Sequence, residues 1–229
     1  MAGVREPMVR ASVEVEARAR LSAGVSAAAI YHAVANAVIN SHPKGGTVVD
    51  VGCGIGNLWP YVRERFDKYI GSDVLRYEGL PADVEFVRVD LDSGRVPLPD
   101  GVGDVVVAVE TIEHLENPRA FARELTRLCR PGGWVIITTP NQLSLLSKLT
   151  LVVKNEFSAF RAGSYPAHLT ALLEVDLRRI ATECGWTEIA VRYSTQGRIP
   201  GTARHWPQAL SRWFPRTLSD NILIIGRRT

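Results

Sequence analysis

The chain has little cysteine, no long apolar run and almost no net charge, and each shortage removes a class of protein. Its 229 residues include three cysteines, Cys53, Cys129 and Cys184. They are odd in number, far apart and in no metal-ligand spacing, which argues against a disulfide scaffold or a structural zinc site and fits a reducing compartment. No apolar stretch approaches the ~20 residues of a membrane span. The opening residues, MAGVREPMVRASVEVEARAR, carry charges throughout and lack the apolar centre of a secretory signal. A cytoplasmic protein without a transmembrane segment is therefore expected. The formal charge of +3 is too small to indicate a nucleic-acid partner by itself. Its distribution is uneven: residues 190–229 hold seven arginines (Arg192, Arg198, Arg204, Arg212, Arg216, Arg227, Arg228) against one acid, Asp220. That basic end suits an anionic acceptor or surface, and equally a solvated face.

Hydrophobic patterning is abundant. At 46% hydrophobic composition the chain can bury one full core. Strand-length apolar runs alternate with segments of helical period, the pattern of a parallel sheet covered by helices on both faces. Strands are expected at 47–51, 69–73, 85–89, 104–109 and 134–139, and helices at 57–66, 118–130 and 176–184. The helix at 118–130 starts on Pro118, turns Ala120, Leu125 and Leu128 inward, and stops at Pro131-Gly132-Gly133. Gly185 suits the position just past the end of the helix at 176–184. Beyond it, 187–193 and 221–227 read as two strands without a helical crossover, set to pair antiparallel at the sheet edge. One domain is expected: 1–42 as a helical cap, 43–140 as a cofactor-binding core, and 141–229 as an acceptor-side segment with the last strands.

The stretch that carries chemistry is VVDVGCGIGN at 48–57. A strand running into a glycine turn and then a helix lets a ligand approach the backbone and meet unpaired N–H groups. The register, Gly52, Gly54 and then Asn57, departs from the G-x-G-x-x-G of dinucleotide sites. Asp50 beside the turn would repel a pyrophosphate and suit an ammonium group. S-adenosylmethionine carries that ammonium and a cationic sulfonium. Asp73, at the end of the second strand, is placed to accept hydrogen bonds from ribose hydroxyls, although a lone acid there is as often a turn residue.

From 47 to 140 the chain resembles the class I S-adenosylmethionine-dependent methyltransferases. Val49-Asp50-Val51-Gly52-Cys53-Gly54-Ile55-Gly56 matches their first motif, Asp73 falls on the ribose-binding acid, and Asp90-Leu91 on the pair that flanks adenine. Leu98 to Val106 and Leu128 to Gly133 match the stretches before the fourth and fifth strands, with Gly103 where the family usually has an aromatic. The resemblance implies a Rossmann-like α/β fold, a seven-stranded, mostly parallel sheet in the order 3-2-1-4-5-7-6 with the seventh strand antiparallel. It also implies S-adenosylmethionine as methyl donor, held by Asp50, Gly52, Cys53, Gly54, Asp73, Asp90 and Leu91.

After the fourth strand stands Glu110-Thr111-Ile112-Glu113-His114-Leu115. Two readings compete: His114 as a general base, or Glu110, Glu113 and His114 as ligands of a divalent cation such as Mg2+. This E-x-x-E-H arrangement is similar to the metal-binding sequences of ubiquinone-pathway O-methyltransferases and of small-RNA 2′-O-methyltransferases, where a downstream histidine completes the RNA enzymes' site; His168 is the counterpart here. Loop orientation is the plainer alternative. Tyr165 and His168 are candidate acceptor contacts, and the insert from Arg204 to Arg216, mixing aromatics with arginines, suits an anionic pocket, a lid or peripheral membrane contact. The expected activity is methyl transfer to a small-molecule acceptor at oxygen. The alternatives are a nucleic-acid methyltransferase, disfavoured by the absence of stacked aromatics and basic motifs, and a non-catalytic cofactor-binding subunit. Nothing in the sequence indicates an oligomeric state.

Overall fold

The computed structural model describes residues 15–17, 19, 20, 24–92 and 94–229. Seven strands form one sheet: β1 (Thr47–Val51), β2 (Lys68–Asp73), β3 (Glu85–Arg88), β4 (Gly103–Ala108), β5 (Cys129–Pro140), β6 (Trp186–Tyr193) and β7 (Asn221–Arg228). Their order is β3-β2-β1-β4-β5-β7-β6, as the family resemblance implies. The first five are parallel; β7 runs antiparallel to both β5 and β6, so it lies inside the sheet and β6 forms the edge. The order reverses between β1 and β4. Open α/β sheets bind ligands in the crevice at such a reversal, outside the carboxyl ends of the strands.

Strand alternation builds a core on each face. Val48, Val105, Val107 and Ile136 pack with Ile30, Tyr31, Val34 and Val38 of α1 (Ala28–Ser41). Val49, Val106, Ile137 and Ile224 face the other way, into the cluster holding Phe121, Leu125 and Leu128 of α3 (Pro118–Leu128) and Leu177 and Ile180 of α5 (Glu174–Glu183). The Asn117 side chain caps α3 by accepting from the Ala120 N–H at 3.0 Å. On that helix Ala120 is exposed and Phe121 takes the inward position, because the buried stripe runs i, i+4, i+7 through Leu125 and Leu128.

Two further expectations need correction. The helix expected over 57–66 is a single turn, α2 (Trp59–Val62), flanked by i to i−3 hydrogen bonds from Tyr61 to Leu58 and from Arg65 to Val62. Pro60 has no N–H to donate, so a regular ladder cannot begin at the glycine turn. The helix expected to reach residue 130 ends at Leu128, and the Pro131-Gly132-Gly133 run is the bulged start of β5, pairing Cys129 with Gly103. A Cβ on Gly133 would lie 2.7 Å from the Asp104 carbonyl oxygen, a distance only glycine tolerates. Gly103 is equally confined, between Val49 and Val106.

Of the cap expected over 1–42, residues 1–14, 18 and 21–23 lie outside the described residues; 15–17, 19 and 20 are helical. Three contacts tie this segment down: the Tyr77 hydroxyl donates to the Ala19 carbonyl at 2.9 Å, Arg88 pairs with Glu16, and the Ile55 N–H donates to the Gly24 carbonyl at 3.3 Å. After β5, α4 (Leu145–Lys154) leads into an irregular segment over 155–173, and α6 (Gln208–Trp213) and α7 (Pro215–Leu218) fill the connection from β6 to β7. No helix among the described residues is long and apolar enough to cross a membrane.

Candidate active site

A cavity of about 550 Å³ opens at the carboxyl ends of β1, β2 and β4. Of the glycine turn, Gly52 lines it, and Gly54 lies outside the lining, against the Gly24 backbone. Gly52 and Gly54 have φ of 81° and 53°, and a Cβ on either would fall 2.2 Å from the Thr111 hydroxyl or 2.1 Å from the Gly24 carbonyl oxygen. Only glycine permits both the left-handed turn and this close approach. Both the Gly52 and Cys53 N–H groups donate to the Ser72 carbonyl, at 2.7 and 3.1 Å, which fixes the turn against the end of β2. Asp73 then grips it from the side: Oδ2 accepts from the Gly54 N–H at 2.9 Å and Oδ1 from the Val74 N–H at 2.7 Å. Burial raises this carboxyl above the ordinary carboxylate range, against the pull of those donors. Gly52, Asp73, Asp90, Leu91 and Asp92 share the cavity wall, and Val15, Ala19, Val25 and Tyr31 close it from the N-terminal side.

Asp50 and Cys53 lie beneath the turn, outside that wall. The Tyr69 hydroxyl donates to Asp50 Oδ2, whereas Oδ1 has no hydrogen-bond partner among the described residues. Burial pushes the Asp50 carboxyl up to about 7, with the Tyr69 bond opposing. Cys53, also buried, has its thiol pushed far up by burial and by the charges of Asp50 and Asp73, which makes it inert. The folded chain therefore holds the Asp50 proton more tightly than the unfolded chain. Its contribution to stability is complete below the unfolded value of 3.8 and is lost as pH rises through about 7, on the order of 4 kcal/mol in all. Asp50→Asn removes this titration while keeping the shape. Urea midpoints of the variant are expected to fall less between pH 4 and pH 7 than those of the parent; parallel curves would contradict the assignment.

The opposite wall is built on β4. Glu110 sits at φ 50°, a strained conformation for a non-glycine residue and one concentrated at functional sites. It is held from two other strands: Thr138 both accepts from its N–H at 2.9 Å and donates to Oε1 at 2.8 Å, and the Asn221 amide donates to Oε2 at 2.7 Å. The next turn is a 3₁₀ turn, Ile112–His114. Here Glu113 is fully buried; the Thr139 hydroxyl faces its carboxylate, but neither oxygen makes a well-formed hydrogen bond among the described residues. Burial raises the carboxyls of Glu110 and Glu113, and their mutual repulsion adds to the rise at Glu110.

The Glu113 carbonyl accepts from both the Leu169 and Thr170 N–H groups, at 2.8 and 3.0 Å, and so clamps the distant segment over 159–170 to this turn. That clamp brings His168 to His114, ring centroids 4.9 Å apart. His114 Nδ1–H donates to the Ala167 carbonyl at 2.5 Å and His168 Nδ1–H to the Ala159 carbonyl at 2.7 Å. In this tautomer each ring keeps its lone pair on Nε2. Burial, then the neighbouring His114, depresses the His168 pKa. One ligand atom from each of Glu113, His114 and His168 lies within 4.8 Å of the others. Glu110 is not in that group; its oxygens accept from Thr138 and Asn221. Tyr165 is 72% exposed at the cavity mouth, after which the Tyr165–Pro166 peptide is cis.

A family model described as a methyltransferase domain matches residues 22–191. The chain belongs to this methyltransferase family. Among curated relatives, a probable S-adenosylmethionine-dependent methyltransferase of Mycolicibacterium smegmatis is 34% identical over 103 residues, covering 44% of this chain and 40% of the relative. The ubiquinone biosynthesis O-methyltransferase of Paraburkholderia xenovorans is 30% identical over 131 residues, covering 52% and 55%. The chain thus spans about half the length of these relatives. In fold it is similar to a solved SAM-dependent methyltransferase of Thermotoga maritima, titled a possible histamine N-methyltransferase, with TM-score 0.62 at 17% identity, covering 87% of this chain and 89% of that one.

In this methyltransferase domain the cavity also presents Thr111, Tyr31, Tyr77 and Asp92, none of which sequence reasoning singled out. Thr111 had a signal, a hydroxyl one residue past the strand-end acid. Thr138 and Asn221, which fix Glu110, had none, since they meet it across 28 and 111 residues of chain.

Proposed function

We propose that the chain transfers a methyl group from S-adenosylmethionine to an oxygen atom of a small-molecule acceptor. One observation carries the reading: a single cavity joins an acid-lined glycine turn to a wall holding His114, His168 and Glu113. The donor half fits the methyl donor. Gly52 presents backbone at that end, and Asp73, Asp90 and Asp92 make it suited to a cation. Backbone N–H groups of Gly54, Val74 and Leu75 take up part of the acceptor capacity of the Asp73 carboxylate, and what is left can accept from a ribose hydroxyl. Asp50 supports the turn from beneath, and Leu91 offers an apolar face to a base. When bound, S-adenosylmethionine supplies an electrophilic methyl group on a cationic sulfonium.

His114, its tautomer set by Ala167, takes the acceptor's hydroxyl proton on Nε2. Tyr165, His168 and the N-terminal segment orient the acceptor and exclude water. A second reading is favoured by the buried Glu113 carboxylate, whose oxygens make no well-formed hydrogen bond among the described residues. With His114 and His168 they offer two imidazoles and one carboxylate, a set that suits a zinc-, iron- or manganese-type ion better than Mg2+, which prefers oxygen donors. Such an ion would polarise an acceptor hydroxyl. Oxygen is chosen over nitrogen because hydroxyl acceptors need a proton removed or an anion stabilised, and this wall is equipped for that.

The test is transfer of an isotopically labelled methyl group to a panel of catechols, phenols, hydroxy acids and amines. Label in hydroxyl acceptors is expected; label in amines alone would overturn the assignment of oxygen. In the same assay, loss of activity on chelation, restored by zinc or manganese, would favour the metal reading, and indifference to the chelator the base-only one.

A further inference from the structure

Two insertions rise at the same end of the sheet, from the carboxyl end of β5 and from the connection between β6 and β7. The Asn141 amide joins their roots by donating to the carbonyls of Arg216 and Ser219, both at 2.8 Å. On α4, Leu146, Leu149, Thr150 and Val153 follow the i, i+3, i+4, i+7 spacing of one face, with Val152 beside them. Leu146 and Thr150 are half-buried at the root of this face, whereas Leu149, Val152 and Val153 are exposed, Val152 at 83% and Val153 at 77%. Across the second insertion Trp213 is 82% exposed, with Phe214 and Leu210 beside it. Lone exposed apolar residues need no explanation, but a grouped set at one end of a molecule marks an interaction surface.

Charge shows what covers it. Lys148 and Lys154 flank the α4 stripe, and Arg161, Arg204 and Arg212 stand on the same two insertions; none of the five has a carboxylate partner among the described residues. Residues 141–173 contain one acid, Glu156, and residues 194–219 contain none. Where the insertions meet, a cavity of about 130 Å³ is lined by Thr150, Ser158 and Arg161 of the first and by Arg198 and Thr202 of the second. Arg198 also pairs with Asp220 at 3.2 Å, so Arg161 brings the uncompensated charge. Two guanidinium groups among hydroxyls suit a phosphate group.

We propose that α4, α6 and the small Arg161–Arg198 cavity form a docking surface for an anionic phospholipid bilayer. The apolar side chains enter the interface, the lysines and arginines lie at headgroup level, and the cavity takes a headgroup phosphate. Tyr165 belongs to the first insertion and is exposed at the mouth of the reaction cavity, so an acceptor dissolved in the bilayer would enter there. That consequence rests on the methyl-transfer reading; the docking itself does not.

The experiment is co-sedimentation of the full chain with vesicles of phosphatidylcholine alone or mixed with phosphatidylglycerol, alongside light scattering and S-adenosylmethionine titration of each variant. Binding is expected only to the mixed vesicles and to weaken with salt. Val152→Asp/Val153→Asp and Trp213→Ala are expected to lower partitioning at least tenfold, and Arg161→Gln roughly fivefold. All three lie on the exposed surface, so melting temperature and cofactor affinity should match the parent. Cofactor affinity thereby separates a failed docking surface from a failed methyltransferase reading.

Four results would overturn the proposal. They are no vesicle binding, equal binding to both vesicle types, or displacement by millimolar inorganic phosphate that binds parent and Val152→Asp/Val153→Asp alike. The fourth is concentration-dependent dimers abolished by Trp213→Ala, which would make a second copy of the chain the occupant.

Discussion

Asp73→Ala is expected to weaken S-adenosylmethionine binding by at least a hundredfold. On the proposed reading the substitution removes a charged acceptor for a ribose hydroxyl, and a hydrogen bond to a charged group contributes about 1.5–3 kcal/mol. It also strands the Gly54 and Val74 N–H groups, which Asp73 accepts at 2.9 and 2.7 Å. The glycine turn loses its side support at the moment the ligand loses its anchor, so the two losses act together. Asp73→Asn separates them: its carbonyl oxygen can still accept one backbone N–H, and an intermediate affinity is expected. Equilibrium dialysis against the folded variants checks both, with circular dichroism confirming the fold. Parental affinity in folded Asp73→Ala would remove Asp73 from the cofactor site.

His114→Ala is expected to lower kcat by about 10²–10⁴, the usual yield of a positioned proton acceptor, while S-adenosylmethionine affinity stays within a few-fold. The residue sits on the β4 wall, opposite the glycine turn, and its contacts run to the segment over 159–170 through Ala167. Loss of the ring breaks that 2.5 Å bond, so KM for the acceptor is also expected to rise. His168→Ala discriminates the two readings of this wall. As a metal ligand His168 is as necessary as His114, and the two variants should be equally impaired; as an orienting neighbour it should cost far less and mainly raise KM. Full activity of His114→Ala on the true acceptor would eliminate it from both roles.

The fold was largely legible because its signals are local or nearly so. Valine runs in β1 and β4, a proline-started amphipathic α3 and glycine at sharp turns each report on their own few residues. Where local signals conflicted, the reading failed: Pro60 shortened α2, and pairing with β4 drew Pro131-Gly132-Gly133 into β5. The seventh strand's place inside the sheet is a long-range fact, available only through the family resemblance.

The site divides in the same way. Asp73, Gly52, Asp90 and Leu91 stand at strand ends, and strand ends converge on one cavity in any sheet of this topology. Asp50 is two residues from the turn, yet the pleat directs it beneath, toward Tyr69, where sequence spacing alone cannot follow it. The meeting of His114 with His168 depends on two N–H donors to the Glu113 carbonyl, a tertiary clamp with no sequence signature. Glu110 shows the converse. Its place in the E-x-x-E-H run grouped it with Glu113 and His114, whereas in the fold its oxygens accept from two other strands.

The most direct test of the central claim is calorimetric titration of the purified chain with S-adenosylmethionine and, separately, with NAD. Saturable binding of S-adenosylmethionine in the micromolar range, with no heat from NAD, is the expected result. It would follow from a glycine turn whose third position is Asn57 rather than glycine and whose neighbouring acids favour a cation. Binding of NAD in its place, or of neither ligand by a folded chain, would contradict the cofactor assignment and the mechanism built on it.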